Sequence, residues 1–206
     1  MDRTGSHIGR ILAIAAGVVV ALVALFLNAR HYHPFISDDA FISLRYAERL
    51  LDGKGLTWTD GPPVEGYSNL LWTLLCAGLG ATGVDLVLAA RILGFLGLAA
   101  AVVAIAWAVR PRRALEVAAA LVGMLGLALA GPSGAWVVGG LEQPLVAGLL
   151  AWALATSAPL LGPEPLTPRQ VLVPGALLAL VTLARAAGAV LVAAGCLGVV
   201  RLPGRR

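Results

Sequence analysis

Apolar stretches close to the width of a bilayer follow one another along almost the whole chain, and only one segment breaks the pattern. Ile11–Leu27 and Ile92–Val109 hold no charged residue at all. A helix needs about 20 predominantly apolar residues to cross a hydrocarbon core of about 30 Å. Several runs of nearly that length in a 206-residue chain predict an all-α fold, a polytopic membrane helical bundle. Composition agrees: 59% of the residues are hydrophobic and 13% charged, where a soluble domain carries about 25% charged residues. The mean hydropathy is +0.89.

The net charge of +4 and a pI near 9.7 suggest nucleic acid at first sight. The arginines, however, gather at the ends of apolar runs, where topology and anionic lipid head groups account for them. The expected partner is the lipid bilayer, with no nucleic acid. Cys76 and Cys196, the only cysteines, both sit in apolar segments and read as buried thiols, without zinc-site spacing.

Charge decides the topology. Arg3 and Arg10 precede the first run, and no small-x-small cleavage site follows Leu27. A signal anchor over about 11–29 is therefore expected, with the N-terminus cytoplasmic. Residues 68–83 are apolar enough for a second crossing, but that choice would put Arg110, Arg112 and Arg113 on the outer face. Taken as a juxtamembrane or embedded helix, with Asn69, Thr73, Cys76 and Gly80 as a small and polar stripe, they leave 86–109 as the second span. The triple-arginine loop then lies inside, as the positive-inside rule prefers. Further spans follow at about 114–130 and 145–161, separated by an outer loop over 131–144. The last apolar stretch reads as two short segments, 171–184 and 186–200, because one continuous helix would leave Arg185 in lipid at about 2.5–3.5 kcal/mol.

The exception is the polar island between His31 and Tyr67, which holds six of the eleven acids. It becomes an extracytoplasmic first loop on this topology. Ser37 reads as an N-cap, with Asp38 and Asp39 in the first turn of a juxtamembrane helix over about 38–52 and Gly53 as its stop. Ala40, Leu44, Ala47 and Leu51 form its apolar face, and Asp38, Arg45 and Arg49 share another. Gly53, Gly55, Gly61, Pro62 and Pro63 make a turn-rich crossover to Glu65.

Asp38, Asp39, Glu65, Glu142 and Arg185 all fall on or near the outer side. Adjacent carboxylates on a helix point about 100° apart, so one can face a substrate while the other meets a cation or the first-turn amides. Asp38 and Asp39 suit a general base, a divalent cation such as Mg2+, Mn2+ or Ca2+, or plain helix capping. Glu65 reads equally as a loop acid in water, and Glu142 as a helix-dipole cap. Arg185 suits a lipid-linked phosphate or a snorkelling helix end. Arg45 and Arg49 either pair with Asp38, serve phosphate, or form a solvated face, which is the preferred reading. His31 and His33 read as interfacial residues, and Trp58, Trp72, Trp107, Trp136 and Tyr67 as interface anchors with no sign of a stacking platform.

The strings Asp38-Asp39-Ala-Phe-Ile-Ser-Leu-Arg45-Tyr46, Gly53-x-Gly55-Leu56, Val64-Glu65-Gly66-Tyr67-Ser68-Asn69-x-Leu71-Trp72 and Gly140-Leu-Glu142-x-Pro144-Leu145 together resemble the N-terminal half of bacterial GT-C-fold glycosyltransferases. The likeness is to the mycobacterial-type cell-envelope arabinofuranosyltransferases and uncharacterised relatives, over about residues 8–200. It implies a GT-C-like N-terminal module that passes a sugar from a polyprenyl-phosphate donor to a glycan, lipid or protein acceptor hydroxyl, outside the bacterial plasma membrane. One of Asp38 and Asp39 would be the catalytic base, with Asp38 preferred. Arg45, Glu65, Tyr67, Asn69, Glu142 and Arg185 would bind donor or acceptor. Arg185 matches the arginine of a Leu-x-Arg-Pro-Glu-Gly-like element, which here reads Leu-Ala-Arg-Ala-Ala-Gly and lacks the proline and acid. Family members usually continue with more spans, so the expectation is an N-terminal part, completed by a second chain where the gene is split. Two other readings stay open: a non-catalytic subunit or binding module on the same scaffold, and a small transporter or flippase.

Overall fold

A computed structural model describes residues 3–190 apart from 110, 112 and 163. Eight α-helices and one turn of 3-10 helix occupy these residues, and no strand occurs among them. In chain order they are α1 Arg3–Tyr32, α2 Ala40–Leu51, α3 Leu70–Gly80, α4 Leu86–Ala108, α5 Ala114–Leu129, α6 Gly131–Val138, α7 Gln143–Ser157 with the 3-10 turn Ala158–Leu161, and α8 Pro168–Ala184. Three stretches are long and apolar enough to cross a membrane: His7–Tyr32, Leu86–Ala108 and Gln143–Leu161. The bent pair α5 and α6 makes a fourth if it is taken as one broken span. This is the architecture of a helical membrane protein.

The short helices follow from local sequence. α3 has 11 residues, about 17 Å at 1.5 Å per residue and so well short of a bilayer. Asn69, Thr73 and Cys76 on its inner face are buried, in keeping with their spacing. α2 begins at Ala40, two residues later than its sequence suggests. Asp38 and Asp39 stand before the helix in a tight turn, Asp38 Oδ1 accepts from Asp39 N at 3.0 Å, and no side chain caps the helix. Ser37 is thus not the N-cap. Gly53, with φ +73°, is the stop that was expected, and Ala40, Leu44 and Ala47 form the buried face, while Leu51 is exposed.

The outer loop expected over 131–144 is in part a helix. α5 and α6 meet at a 53° bend, because Pro132 has no N–H to continue the ladder. The Ala128 carbonyl, whose helical donor would be the N–H that Pro132 lacks, needs another donor in an apolar setting. Asn28 of α1 supplies it, with Nδ2 at 2.9 Å from Ala128 O, and adds a bond at 2.8 Å to Ala130 O, which also accepts from Ser133 N and Gly134 N.

Two cores result. Ala21, Leu25 and Ala29 of α1 pack with Leu98 and Val102 of α4, Met124 and Ala128 of α5, and Val137 of α6. Leu44 and Ala47 of α2 pack with Trp72 and Cys76 of α3 and Ala90 of α4. α4 packs closely against both α6 and α7. A Cβ on Gly94 would stand 2.6 Å from Val137 O of α6, one on Gly97 2.5 Å from Pro144 O of α7, and one on Gly148 of α7 would meet Gly97 O. Small residues at such crossings let helices approach until dispersion takes over from a hydrophobic drive that lipid does not provide.

The directions of the helices gather the polar residues at one end. The end of α1 meets the start of α4, where Arg91 donates from Nη2 to Pro34 O at 3.1 Å and to Phe35 O at 3.3 Å. The start of α7 meets the end of α8 through Glu142 and Arg185. Asn69, at the head of α3, reaches the same Glu142. The second of the two short C-terminal segments expected from sequence, 186–200, lies from residue 191 onward outside the described residues, as does Cys196.

Candidate functional site

Glu142 is the hub. It is 6% exposed, lies just before α7, and divides its two oxygens between partners. Oε1 accepts from Arg185 Nη1 at 3.0 Å, and Oε2 accepts from Asn69 Nδ2 at 2.8 Å. Asn69 passes the network on: Nδ2 also donates to Ser43 Oγ at 2.9 Å, and Oδ1 accepts from Ser43 Oγ at 3.1 Å and Thr73 Oγ1 at 3.3 Å. A buried carboxylate is costly unless it is paired and fully hydrogen-bonded, and here both conditions are met. Arg185 caps α8 in an extended conformation and its side chain is 48% exposed. One face of the guanidinium neutralises Glu142, and the other faces outward from the network. The next residue, Gln143, carries a buried Oε1 with no partner among the described residues.

The Asp38–Asp39 turn lies against this hub. Ser37 N donates to Gly139 O at 2.9 Å. A Cβ on Gly140 would stand 2.9 Å from that of Ala40, and Gly140 adopts φ +82°, so glycine is required there on both counts. Trp72 Nε1 adds a bond to Gly140 O at 3.2 Å. Both aspartates are exposed, and no ion pair among the described residues reaches them. Arg45 pairs with Glu48 at 2.6 Å, not with Asp38. No group of three or more His, Cys, Asp or Glu side chains suited to a metal ion occurs among the described residues, so Asp38 and Asp39 have no third such ligand beside them.

Glu65 and Tyr67 form a separate group, positioned by Tyr46. Its hydroxyl, at the centre of a buried side chain, donates to Val64 O at 2.6 Å and accepts from Gly66 N at 2.9 Å. That clamp turns Glu65 out to solvent. Tyr67 packs edge-on against Tyr46 with ring centroids 4.8 Å apart. Burial, with the charge of Glu65 and then Tyr46 adding to it, raises the Tyr67 phenol above its usual value of 10.0.

Arg49 corrects the solvated-face expectation. It is 4% exposed and donates from Nε to Thr57 Oγ1 at 2.9 Å and from Nη2 to Thr59 O at 2.8 Å and Asp60 Oδ1 at 2.7 Å. The side-chain hydrogen bond and charge of Arg49 hold the Asp60 carboxyl below its usual 3.8. Arg49 is therefore a fastener of the crossover. Tyr46, present in the sequence only as the end of a motif string, and Ser43 and Arg91, which did not stand out there, also carry the site, Arg91 meeting His33 Nε2 at 3.2 Å as well.

Of the expected site residues, the fold brings Asn69, Glu142 and Arg185 into one network and sets Asp38 and Asp39 beside it. It leaves Arg45 on the outer face of α2 and sets Glu65 and Tyr67 apart from the network, Tyr67 packed against Tyr46. Chemically, the arrangement offers exposed carboxylates and a half-exposed guanidinium at the same end of a membrane bundle. Comparison with family models, with curated proteins and with solved structures finds no match.

Proposed function

We propose that the chain is the N-terminal module of a GT-C-type membrane glycosyltransferase, with its polar end on the extracytoplasmic face of a bacterial plasma membrane. The observation that carries the reading is the pairing of an exposed Asp38–Asp39 turn with a half-exposed Arg185 seated on buried Glu142. A phosphate of a polyprenyl-phosphate sugar needs a guanidinium that stays oriented while one side remains open. An acceptor hydroxyl needs a carboxylate within reach of its proton. In the reaction, Asp38 or Asp39 takes the acceptor proton as the hydroxyl oxygen bonds to the anomeric carbon. The bond from that carbon to the phosphate oxygen breaks with inversion, and polyprenyl phosphate leaves with the electron pair, its charge met by Arg185. Charge placement supports the orientation. Arg10, Arg113 and Arg169 stand near the starts of α1, α5 and α8, the ends opposite the polar one, as the positive-inside rule asks of a cytoplasmic face.

A second reading has its own observation. Arg185 is already neutralised by Glu142, and both aspartates are solvated, which also suits a module that binds an acceptor without turning it over. One experiment separates the two: sugar transfer from a polyprenyl-phosphate donor by the protein in proteoliposomes, compared with Asp38→Asn and Asp39→Asn. Loss of about 100-fold or more in one variant is the expectation for a general base. Transfer indifferent to both changes removes the base assignment, and no transfer by the unaltered chain favours the binding module.

A further inference from the structure

A cleft of about 620 Å3 lies between α2, the turn that carries Trp58, and the head of α4, apart from the Glu142 network. Its wall is an apolar face, Trp58 with Phe41, Leu44, Leu86 and Val87, edged by Arg45, Glu48 and Asp85. Trp58 is 42% exposed, yet it does not hang loosely from a glycine-rich loop. Arg49 fixes Thr57 on one side of it and Thr59 and Asp60 on the other, and its ring lies 5.8 Å from that of Tyr46. A buried arginine is thus committed to holding one exposed indole in place. Asp85 uses Oδ1 to cap α4 at Leu88 N, 3.0 Å away, and its second oxygen has no partner among the described residues. Arg45 uses Nη1 on Glu48, one position of the five N–H donors that a guanidinium carries.

We propose that this cleft binds a sugar ring of a glycan, with Trp58 as its stacking face and Arg45, Glu48 and Asp85 as partners of its hydroxyls. The chemistry of the wall selects the ligand class. A wholly apolar ligand would match Phe41, Leu44, Leu86 and Val87 but strip water from three ionised side chains at the rim without replacing their hydrogen bonds. An anion would face two carboxylates against one guanidinium, and a cation would face Arg45. A neutral polyhydroxy ring satisfies all of them. Its C–H face suits the indole, and each hydroxyl both donates to a carboxylate and accepts from a guanidinium. The proposal deepens the glycosyl-transfer reading by placing a sugar of the substrate, and it rests on that reading only for where the glycan comes from.

The test is binding, so that it stands or falls apart from turnover. Titration calorimetry on the full chain in nanodiscs would use neutral trisaccharides of gluco, manno and galacto configuration in one arm, and mannosyl polyprenyl phosphate in the other. Saturable binding of a free trisaccharide assigns the cleft to the acceptor, and binding of the lipid-linked sugar alone assigns it to the donor. In either case Trp58→Ala should weaken affinity by about tenfold, and Asp85→Asn or Glu48→Gln by about threefold. Trp58→Phe, which keeps an aromatic face, should retain most of the binding and guards against a folding failure in the alanine variant. No saturable heat in either arm overturns the proposal, and so does binding indifferent to Trp58→Ala. Quenching of the Trp58 contribution to fluorescence by lipid brominated near the head group also overturns it, since that residue would then be a membrane anchor. Absent sugar transfer would leave a positive result intact, and absent binding would leave the transfer reaction open.

Discussion

Glu142 and Arg185 form a pair with very unequal surroundings, 8% against 48% side-chain exposure, so removing either partner should have unequal cost. Arg185→Ala leaves a buried carboxylate with only Asn69, and losses of about 3–5 kcal/mol are typical for an orphaned buried charge. Glu142→Ala leaves a guanidinium with half its surface in water, for about 1 kcal/mol. At about 2–4 °C per kcal/mol for a chain of this size, thermal unfolding in detergent should show a clearly larger fall for Arg185→Ala. Equal falls would mean that the pair does not bear the charge balance described here. At Asp60 the sign is that of a carboxylate depressed by its partner: its contribution is present above the ordinary 3.8 and fades as pH falls through the lower folded value. A carboxyl resonance of Asp60 titrating below 3.8, and returning toward it in Arg49→Met, is the expected result, together with faster proteolysis of the 54–66 crossover in that variant. Such residue-scale facts were only partly legible in the sequence. Glu142 and Arg185 both stand out there as acids and bases in apolar company, but their pairing depends on two helices that meet 43 positions apart. Arg49 looked like a solvated helix face because its partners arrive on a loop that turns back over it.

Periodicity reads elements well when one face does one job. The stripe of Asn69, Thr73 and Cys76 is visible as i, i+4, i+7 and is buried as such, and α4 and α7 follow directly from apolar length. α6 was missed because Gly131, Pro132, Ser133 and Gly134 look like a loop. What makes them helical is the fit against α1, where a Cβ on Gly134 would stand 2.7 Å from Asn28. Asn28 also answers the carbonyls at the bend, and nothing local in the sequence links it to residues about a hundred positions away. Asn28→Leu should therefore cost about 1–3 kcal/mol, the penalty for leaving the Ala128 carbonyl without a donor, while Asn28→Gln should recover part of that. The α4–α7 crossing makes an independent prediction. Gly97→Ala places a methyl against the backbone of Pro144 and Leu145, which cannot rotate away as a flexible side chain would, so overpacking of about 1–3 kcal/mol is expected. Gly126→Ala, with no atom within 4 Å of the added Cβ, is the matched control and should be neutral or slightly stabilising in a helix. A Tm left unchanged or raised by both would show that helix propensity, and not the crossing, governs the response.

At the scale of the whole molecule the decisive property is that chain direction alternates, so that residues far apart in sequence share one end. α1, α5 and α8 run toward the polar end and α4 and α7 away from it, which collects Asp38, Asn69, Glu142 and Arg185 from four separate regions. Part of this is legible from charge: once 68–83 is kept from crossing, Arg10, Arg113 and Arg169 fall at one end and the acids of the island at the other. Arg45, Arg49, Arg91 and Arg185 share the acids' end and are held there by hydrogen bonds. The sequence did not carry the second layer, in which α2 and α3 fold back onto α4 and hold the island down through Trp72 and Asn69. That layer is built from contacts between residues of opposite character, a buried tryptophan and a buried amide, which hydropathy does not distinguish from a span. Single cysteines at 38, 60 and 85, and at 10, 113 and 169, placed in a Cys76→Ala, Cys196→Ala background, test the arrangement in intact cells. An impermeant maleimide added outside intact cells should label the first three positions and reach the second three only after the membrane is opened. Labelling that divides the set in any other way would break the alternation on which the site depends. The opposite orientation, with 38, 60 and 85 cytoplasmic, would keep the fold and remove the polyprenyl-linked donor from reach of Asp38 and Asp39.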